Sequence, residues 1–278
     1  MSALSVTPLT SSIGAAVTGV QLADATDEDL VALQWALLEH KVLVLRDQEL
    51  DDGTHERFAT RWGDPVPHPV VAHLGGTQTV GVVYNDADHP PGDGEGWHTD
   101  HSWAPHVPDA AVLRAVTVPE TGGDTLWSDV HAAYLALSPS MRAFLTGLTA
   151  RHDPGPRVLL EMRARMPEDL VEEIATTFTG EDHPVIARHP ITDRPGVFVN
   201  PGYTRCINGL DADESEAVLR MLFDLVGRPE FVCRLHWTEG TVAIWDEHAT
   251  LHRGPNDYAP ATRELHRFTV GATTPQPA

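Results

Sequence analysis

The chain has 278 residues, of which 41% are apolar, enough to bury a full core. Nineteen Lys and Arg against 40 Asp and Glu leave a formal charge of −21, which excludes a broad basic surface for nucleic acid or anionic membranes. An anionic ligand must therefore be met by cations gathered in a pocket.

The first Lys or Arg is Lys41, and no apolar run nears the ~18 residues that span a bilayer, so neither a secretory signal nor a membrane helix is expected. Cys206 and Cys233 are too few for a disulfide scaffold and read as reduced thiols of a cytoplasmic protein. In chain order, residues 27–39 place Leu30, Leu33, Leu37 and Leu38 on one helical face, and the strand-like run KVLVLRD follows at once. Residues 51–62 read as a second short helix, stopped by Gly63, Asp64 and Pro65. Apolar, β-branched runs then dominate: TQTVGVV, AAVLRAVTVP, DTLWSDV, GVFVN, FVCRLHW, TVAIWD and LHRFTVGA. Turn signals such as PPGDGEG, PETGGD and TEG separate several of them. Two helices are expected among the strands, at 131–147 and 212–226. No repeat or linker is visible, so the pattern predicts one domain over 1–278. Many short strands with segregated, flanking helices predict an α+β protein built on a strand sandwich or barrel, and a jelly roll is one such arrangement that protects its sheet edges by packing two sheets together.

Sixteen histidines raise the question of metal ligands. His98-Thr99-Asp100 is the one triplet in which an acid follows a histidine by two. In an extended strand, residues i and i+2 share a face, so both side chains can converge on one ion. A histidine from a distant strand would complete a two-His-one-carboxylate face, which leaves three positions open on a non-haem Fe(II). His252, at the boundary after TVAIWD, is the first candidate, and His248 is its rival. Their spacing mimics a zinc-protease pair, but position 249 is Ala, and the general-base Glu of that motif is missing.

The runs GWHTDHSW, GGDTLWSDVHAAYLAL, WDEHATLHRGPNDY and RELHRFTVGA occur in that order. With HPVVAH at 68–73 and FVNPGYT at 198–204, they resemble the taurine dioxygenase family of Fe(II)- and 2-oxoglutarate-dependent oxygenases over residues 5–272. The resemblance implies a double-stranded β-helix (jelly-roll) core with flanking helices, and His98, Asp100 and His252 as the catalytic iron ligands. It also implies that Arg263 forks the C5 carboxylate of 2-oxoglutarate, with the Thr125 hydroxyl sharing the task. O₂ is then reduced as the cosubstrate is decarboxylated to succinate and CO₂. Related halogenating enzymes carry a small residue in place of the ligand carboxylate, so Asp100 points to hydroxylation.

His68, His101 and Arg267 match positions that bind a sulfonate in the family, His101 through its backbone N–H. A tetrahedral anion with three accepting oxygens suits several donors from different directions. Arg263 and Arg267 lie four apart in an expected strand and so share a face. Val71 and Gly94 stand where a tyrosine and an asparagine are usual, and Pro154 and Tyr203 where phenylalanines are usual. A hydrogen bond to a charged group is worth about 1.5–3 kcal/mol, and neither Val71 nor Gly94 has a side chain to make one, so taurine itself is expected to bind poorly. Tyr203 joins the expected substrate residues. Glu247 and His248 in WDEH depart from the usual W-D-N-R, which leaves the local turn contacts open. The leading expectation is a dioxygenase that hydroxylates the carbon next to a sulfonate or sulfate ester, releasing sulfite or sulfate plus an aldehyde. The same chemistry on a carboxylate is the alternative, and a non-catalytic jelly-roll binding protein is a distant third. The resemblance further implies a homo-oligomer, dimer or tetramer.

Overall fold

The computed structural model describes residues 4–89, 96–163 and 166–278. The chain opens with β1 (Ser5–Pro8) and β2 (Ala15–Thr18), followed by α1 (Asp27–His40), β3 (Val42–Leu45), α2 (Asp52–Ala59), α3 (Pro69–His73) and β4 (Val80–Asn85). Next come β5 (Ala110–Thr117), β6 (Thr125–Asp129), α4 (Val130–Ala136), α5 (Pro139–Leu145) and β7 (Thr149–His152). Helices α6 (Gly155–Arg163) and α7 (Glu168–Thr177) precede four short strands, β8 (Glu181–Pro184), β9 (Ile186–Arg188), β10 (Pro195–Val197) and β11 (Thr204–Ile207). Helix α8 (Ala212–Val226) leads to β12 (Val232–Leu235), β13 (Val242–Asp246), β14 (Thr250–Arg253), β15 (Arg263–Val270) and β16 (Gln276–Pro277).

Local chemistry sets these boundaries. Thr26 and Asp29 form a reciprocal capping box at the start of α1, and Lys41 in the left-handed region ends it. Asp211 and Glu214 form the same box on α8, whose Leu219, Leu222, Leu225 and Val226 are buried. The helix expected over 131–147 is two helices. Pro139 cannot continue α4, and Ser138 caps the new helix by accepting the Met141 N–H at 3.2 Å. Helices α6 and α7 were not expected from the sequence.

The major sheet has seven strands in the order β1-β2-β3-β13-β5-β15-β4, all antiparallel neighbours except β2 and β3. Its inner face packs on the three-stranded sheet β12-β6-β14. The interior between them holds Val44, Leu113, Ala243, Trp245 and Leu265 from the large sheet with Trp127 and Leu235 from the small one. The outer face is covered by α1 and α2, which bury Leu33, Leu37 and Phe58 against Leu43, Val112, Ile244 and Phe268. Two sheets closed face to face, with helices outside, make the expected α+β jelly roll.

His55 on α2 is wedged into that outer interface. Its ring meets Phe268 edge-on at 4.8 Å, and Nε2 donates to the Val112 carbonyl at 3.2 Å. Burial, then the nearby Arg114 cation, pushes its pKa from 6.5 down to about 4. The unfolded chain therefore takes up this proton first. The stabilising contribution is complete above about pH 6.5 and is lost as the pH falls toward 4. Urea unfolding across that window should show stability dropping with acid, and His55→Gln should flatten the slope by about one proton, or ~1.4 kcal/mol per pH unit. An unchanged slope in the variant would remove His55 from the acid response.

Candidate active site

The site forms where two distant segments meet at the open end of the sandwich. His98 and His252 face each other across an antiparallel bridge. The His98 N–H donates to the His252 carbonyl at 3.0 Å, and the His252 N–H to the His98 carbonyl at 2.8 Å. His252 lies within β14, opposite Trp127 of β6. The expected extended strand through His98-Thr99-Asp100 is absent. The chain bends there instead, with Ser102 N–H donating to the Thr99 carbonyl at 3.4 Å and Ala104 N–H to that of His101 at 2.8 Å. His101 takes a positive φ of 55° in this bend. The turn, rather than strand alternation, brings Asp100 beside the two imidazoles.

His98, Asp100 and His252 are each buried, and one ligand atom from each lies within 4.8 Å of the others. Nε2 of His98 and of His252 are 3.7 and 3.8 Å from Oδ1 of Asp100. His98 Nδ1 donates to the Gly96 carbonyl, an obligate acceptor, at 2.9 Å, which turns Nε2 inward. Burial, then the adjacent His98, holds His252 well below the ordinary histidine pKa, which favours its neutral form. Burial alone would raise the Asp100 pKa. The Arg267 guanidinium overcomes it and keeps the carboxyl ionised. Two imidazole nitrogens and one carboxylate, buried and convergent, fit a divalent metal with open positions. His248 is not part of the group. Its Nε2 pairs with Asp109 at 2.9 Å.

Two arginines extend the site along the inner face of β15, on either side of the core residue Leu265. Arg263 is buried; its Nε donates to the Gly123 carbonyl at 2.9 Å and its Nη2 to the Thr125 hydroxyl at 3.4 Å. Gly123 has φ +66°, and a Cβ there would sit 3.0 Å from the Arg263 Cδ, so the close approach needs a glycine. Arg267 lies at the other end, its Nη1 3.0 Å from Oδ1 and 2.7 Å from Oδ2 of Asp100. Nothing in the residue pattern signals that ion pair. His68 caps α3 on the exposed rim, and its ring meets that of the buried His101 edge-on at 4.9 Å. Burial pushes the His101 pKa down to about 3. The Tyr203 ring stands perpendicular to His98 at 5.8 Å. Val71 is half-buried on α3, Pro154 is buried, and Gly94 lies outside the described residues.

Several supporting residues were invisible in the sequence. The Trp237 indole donates to Thr125 Oγ1 at 2.9 Å, and the Trp245 ring lies 5.0 Å from that of His252. Behind the bend, Ser102 Oγ receives Asn200 Nδ2 at 3.1 Å and faces Nδ1 of the fully buried His152 at 3.2 Å. Only tertiary pairing reveals these partners. The one available signal was the density of His and Trp in runs already singled out.

A sequence model of the family described as taurine catabolism dioxygenase TauD, TfdA family matches residues 5–269. An alkylsulfatase from Acinetobacter baylyi is 34% identical over 269 residues, covering 94% of this chain and 83% of its own length. An alpha-ketoglutarate-dependent sulfate ester dioxygenase from Pseudomonas putida is 33% identical over 282 residues, covering 98% of this chain and 91% of its own. The crystal structure of a taurine dioxygenase from Burkholderia xenovorans superposes with a TM-score of 0.81 at 31% identity, covering 99% of this chain and 93% of that one.

The geometry separates the two candidate distal histidines. In anaerobic titrations with Fe(II), His252→Ala should abolish tight binding, while His248→Ala should leave the affinity nearly unchanged. The reverse pattern would overturn the grouping of His98, Asp100 and His252.

Proposed function

The chain belongs to the TauD, TfdA family of 2-oxoglutarate-dependent dioxygenases, and from that premise we propose that it hydroxylates a small sulfonate or alkyl sulfate at the carbon next to the sulfur group. Enzymes of this class use Fe(II), 2-oxoglutarate and O₂. The reading assigns the metal to His98, Asp100 and His252, and the C5 carboxylate of 2-oxoglutarate to Arg263 and Thr125. Arg267, His68 and His101 meet the anionic head of the substrate, and Tyr203 lines the path of its tail. The whole chain acts as one domain, and the family resemblance extends the proposal to a homo-oligomer.

The observation that carries the reading is the placement of two arginines on one face of β15, Arg263 on Thr125 and Arg267 on Asp100. Two anions, cosubstrate and substrate, can then approach the metal from opposite ends of one strand. A chain of charge −21 gains its local positive potential there. The names of the alkylsulfatase and the sulfate ester dioxygenase support a sulfur oxyanion as the head group.

When bound, Fe(II) with 2-oxoglutarate and O₂ supplies the oxidation that yields succinate and CO₂ and places one oxygen atom on the substrate carbon. The protein supplies position. The planar fork of Arg263 holds the cosubstrate carboxylate by parallel charge-assisted bonds while the Thr125 hydroxyl, fixed by Trp237, adds a further contact. Arg267, paired with Asp100, would hold the substrate head beside the His98–Asp100–His252 group, which would bring the neighbouring carbon toward the metal that group would hold. The hydroxylated product carries OH and the sulfur group on one carbon. It collapses by losing the hydroxyl proton and expelling sulfate or sulfite, which leaves an aldehyde.

Succinate formation across a panel of alkyl sulfates, alkanesulfonates, taurine and aryloxyalkanoates tests the reading. Sulfate or sulfite should appear in step with succinate, and apolar alkyl substrates should exceed taurine in kcat/KM by roughly ten-fold, as expected when Val71 offers the amine no hydrogen bond. Turnover confined to aryloxyalkanoates, without sulfur release, would replace the sulfur oxyanion with a carboxylate.

The two arginines should also separate kinetically. Arg263→Ala should raise the KM for 2-oxoglutarate by at least about 30-fold, and Arg267→Ala should raise the KM for the primary substrate comparably, since each leaves an anion unpaired at about 2 kcal/mol or more. Equal damage by both variants to 2-oxoglutarate binding would mean one shared anion site.

A further inference from the structure

The departure from W-D-N-R places a carboxyl group directly behind the three candidate ligands. Glu247 is 1% exposed. Its Oε2 accepts the backbone N–H of Asp100 at 3.1 Å, and its Oε1 accepts the indole N–H of Trp245 at 2.7 Å. The Trp245 ring in turn packs on the His252 ring at 5.0 Å. One side chain therefore touches both halves of the site, the backbone of the His98–Asp100 bend and the aromatic wall behind β14. Its own N–H donates to the Asp109 carbonyl at 3.1 Å, which ties it to the segment before β5.

Burying a carboxyl group is expensive, and replacing a buried polar group by an apolar one of similar volume is often neutral or stabilising. Fold stability alone therefore gives little reason for an acid here. We propose that Glu247 is a positioning residue for the metal centre, fixing the direction of the Asp100 backbone and the seat of the His252 ring together. The inference rests on the reading of His98, Asp100 and His252 as the metal ligands. Groups behind a ligand set its orientation, and their removal commonly costs 10–100-fold in metal affinity.

Glu247→Gln keeps the shape but offers an amide NH₂ to one of two donors, so one contact breaks whichever way it turns. Mn(II) binding to the full chain with 2-oxoglutarate present, read by electron paramagnetic resonance, should weaken by roughly 10–100-fold in this variant. The buried donor left unpaired is costly, so the variant's melting temperature without metal should fall by a few degrees, and binding is read well below the transition. Trp245→Phe, which removes the indole N–H and keeps a ring on His252, should weaken Mn(II) binding in the same direction. Wild-type affinity in either variant, at a temperature where circular dichroism shows it fully folded, overturns the inference. If the wild-type chain itself binds no Mn(II), the ligand reading falls first and takes the inference with it.

Discussion

Two backbone hydrogen bonds between His98 and His252 are the constraint on which the rest of the site depends. They fuse a bend and a strand from distant parts of the chain into one rigid unit before any side chain is considered. Everything near them is shaped by that contact. Gly202 donates its N–H to the Trp97 carbonyl, and a Cβ at 202 would fall 2.9 Å from the His98 Cβ, so the segment leading to Tyr203 can close only over a glycine. Asn200, Ser102 and His152 then brace the bend from below with a buried polar network. Such networks specify a single arrangement because each buried polar group left unpaired would be costly.

Charge follows the same logic. The surface is acidic, and the interior of the site is a short alternation of carboxylate, neutral imidazole and guanidinium. Arg267 keeps Asp100 ionised, whereas burial and the Asp100 charge push the Glu247 carboxyl well above its usual range. Two acids in contact thus have opposite tendencies, one set by a cation and the other by enclosure. His252 and His101 stay uncharged because burial disfavours their protonated forms.

Much of this was legible in the residues, where local chemistry decides. The span of α8 follows from Asp211, Glu214 and the apolar spacing behind them, and the inner face shared by Arg263 and Arg267 follows from strand alternation. The motif order that resembles the family located the three convergent side chains. The failures share a cause. The strand expected through His98 is a bend because tertiary pairing with His252 and the conformation of His101 override local extension. Helix α7 escaped because Leu170, Val171 and Ile174 carry helical spacing over little more than one turn. The position of Glu247 could not be read at all, since its partners Asp100 and Trp245 converge only in the folded chain.

The strand order has a consequence for synthesis. β3 pairs with β13, β4 with β15, and the segment of His98 with β14, so the N-terminal partners wait for strands made much later. At roughly 5–20 residues per second, the ribosome leaves β3 paired only with β2, its β13 edge open, for on the order of tens of seconds. During that interval the apolar run VLVL of β3 is an unpaired edge, the kind of surface that chaperones shield and that aggregates when crowded. His252 reaches His98 and Asp100 only once β14 has been made, so these three side chains converge late in synthesis, long after His98 and Asp100 have left the ribosome.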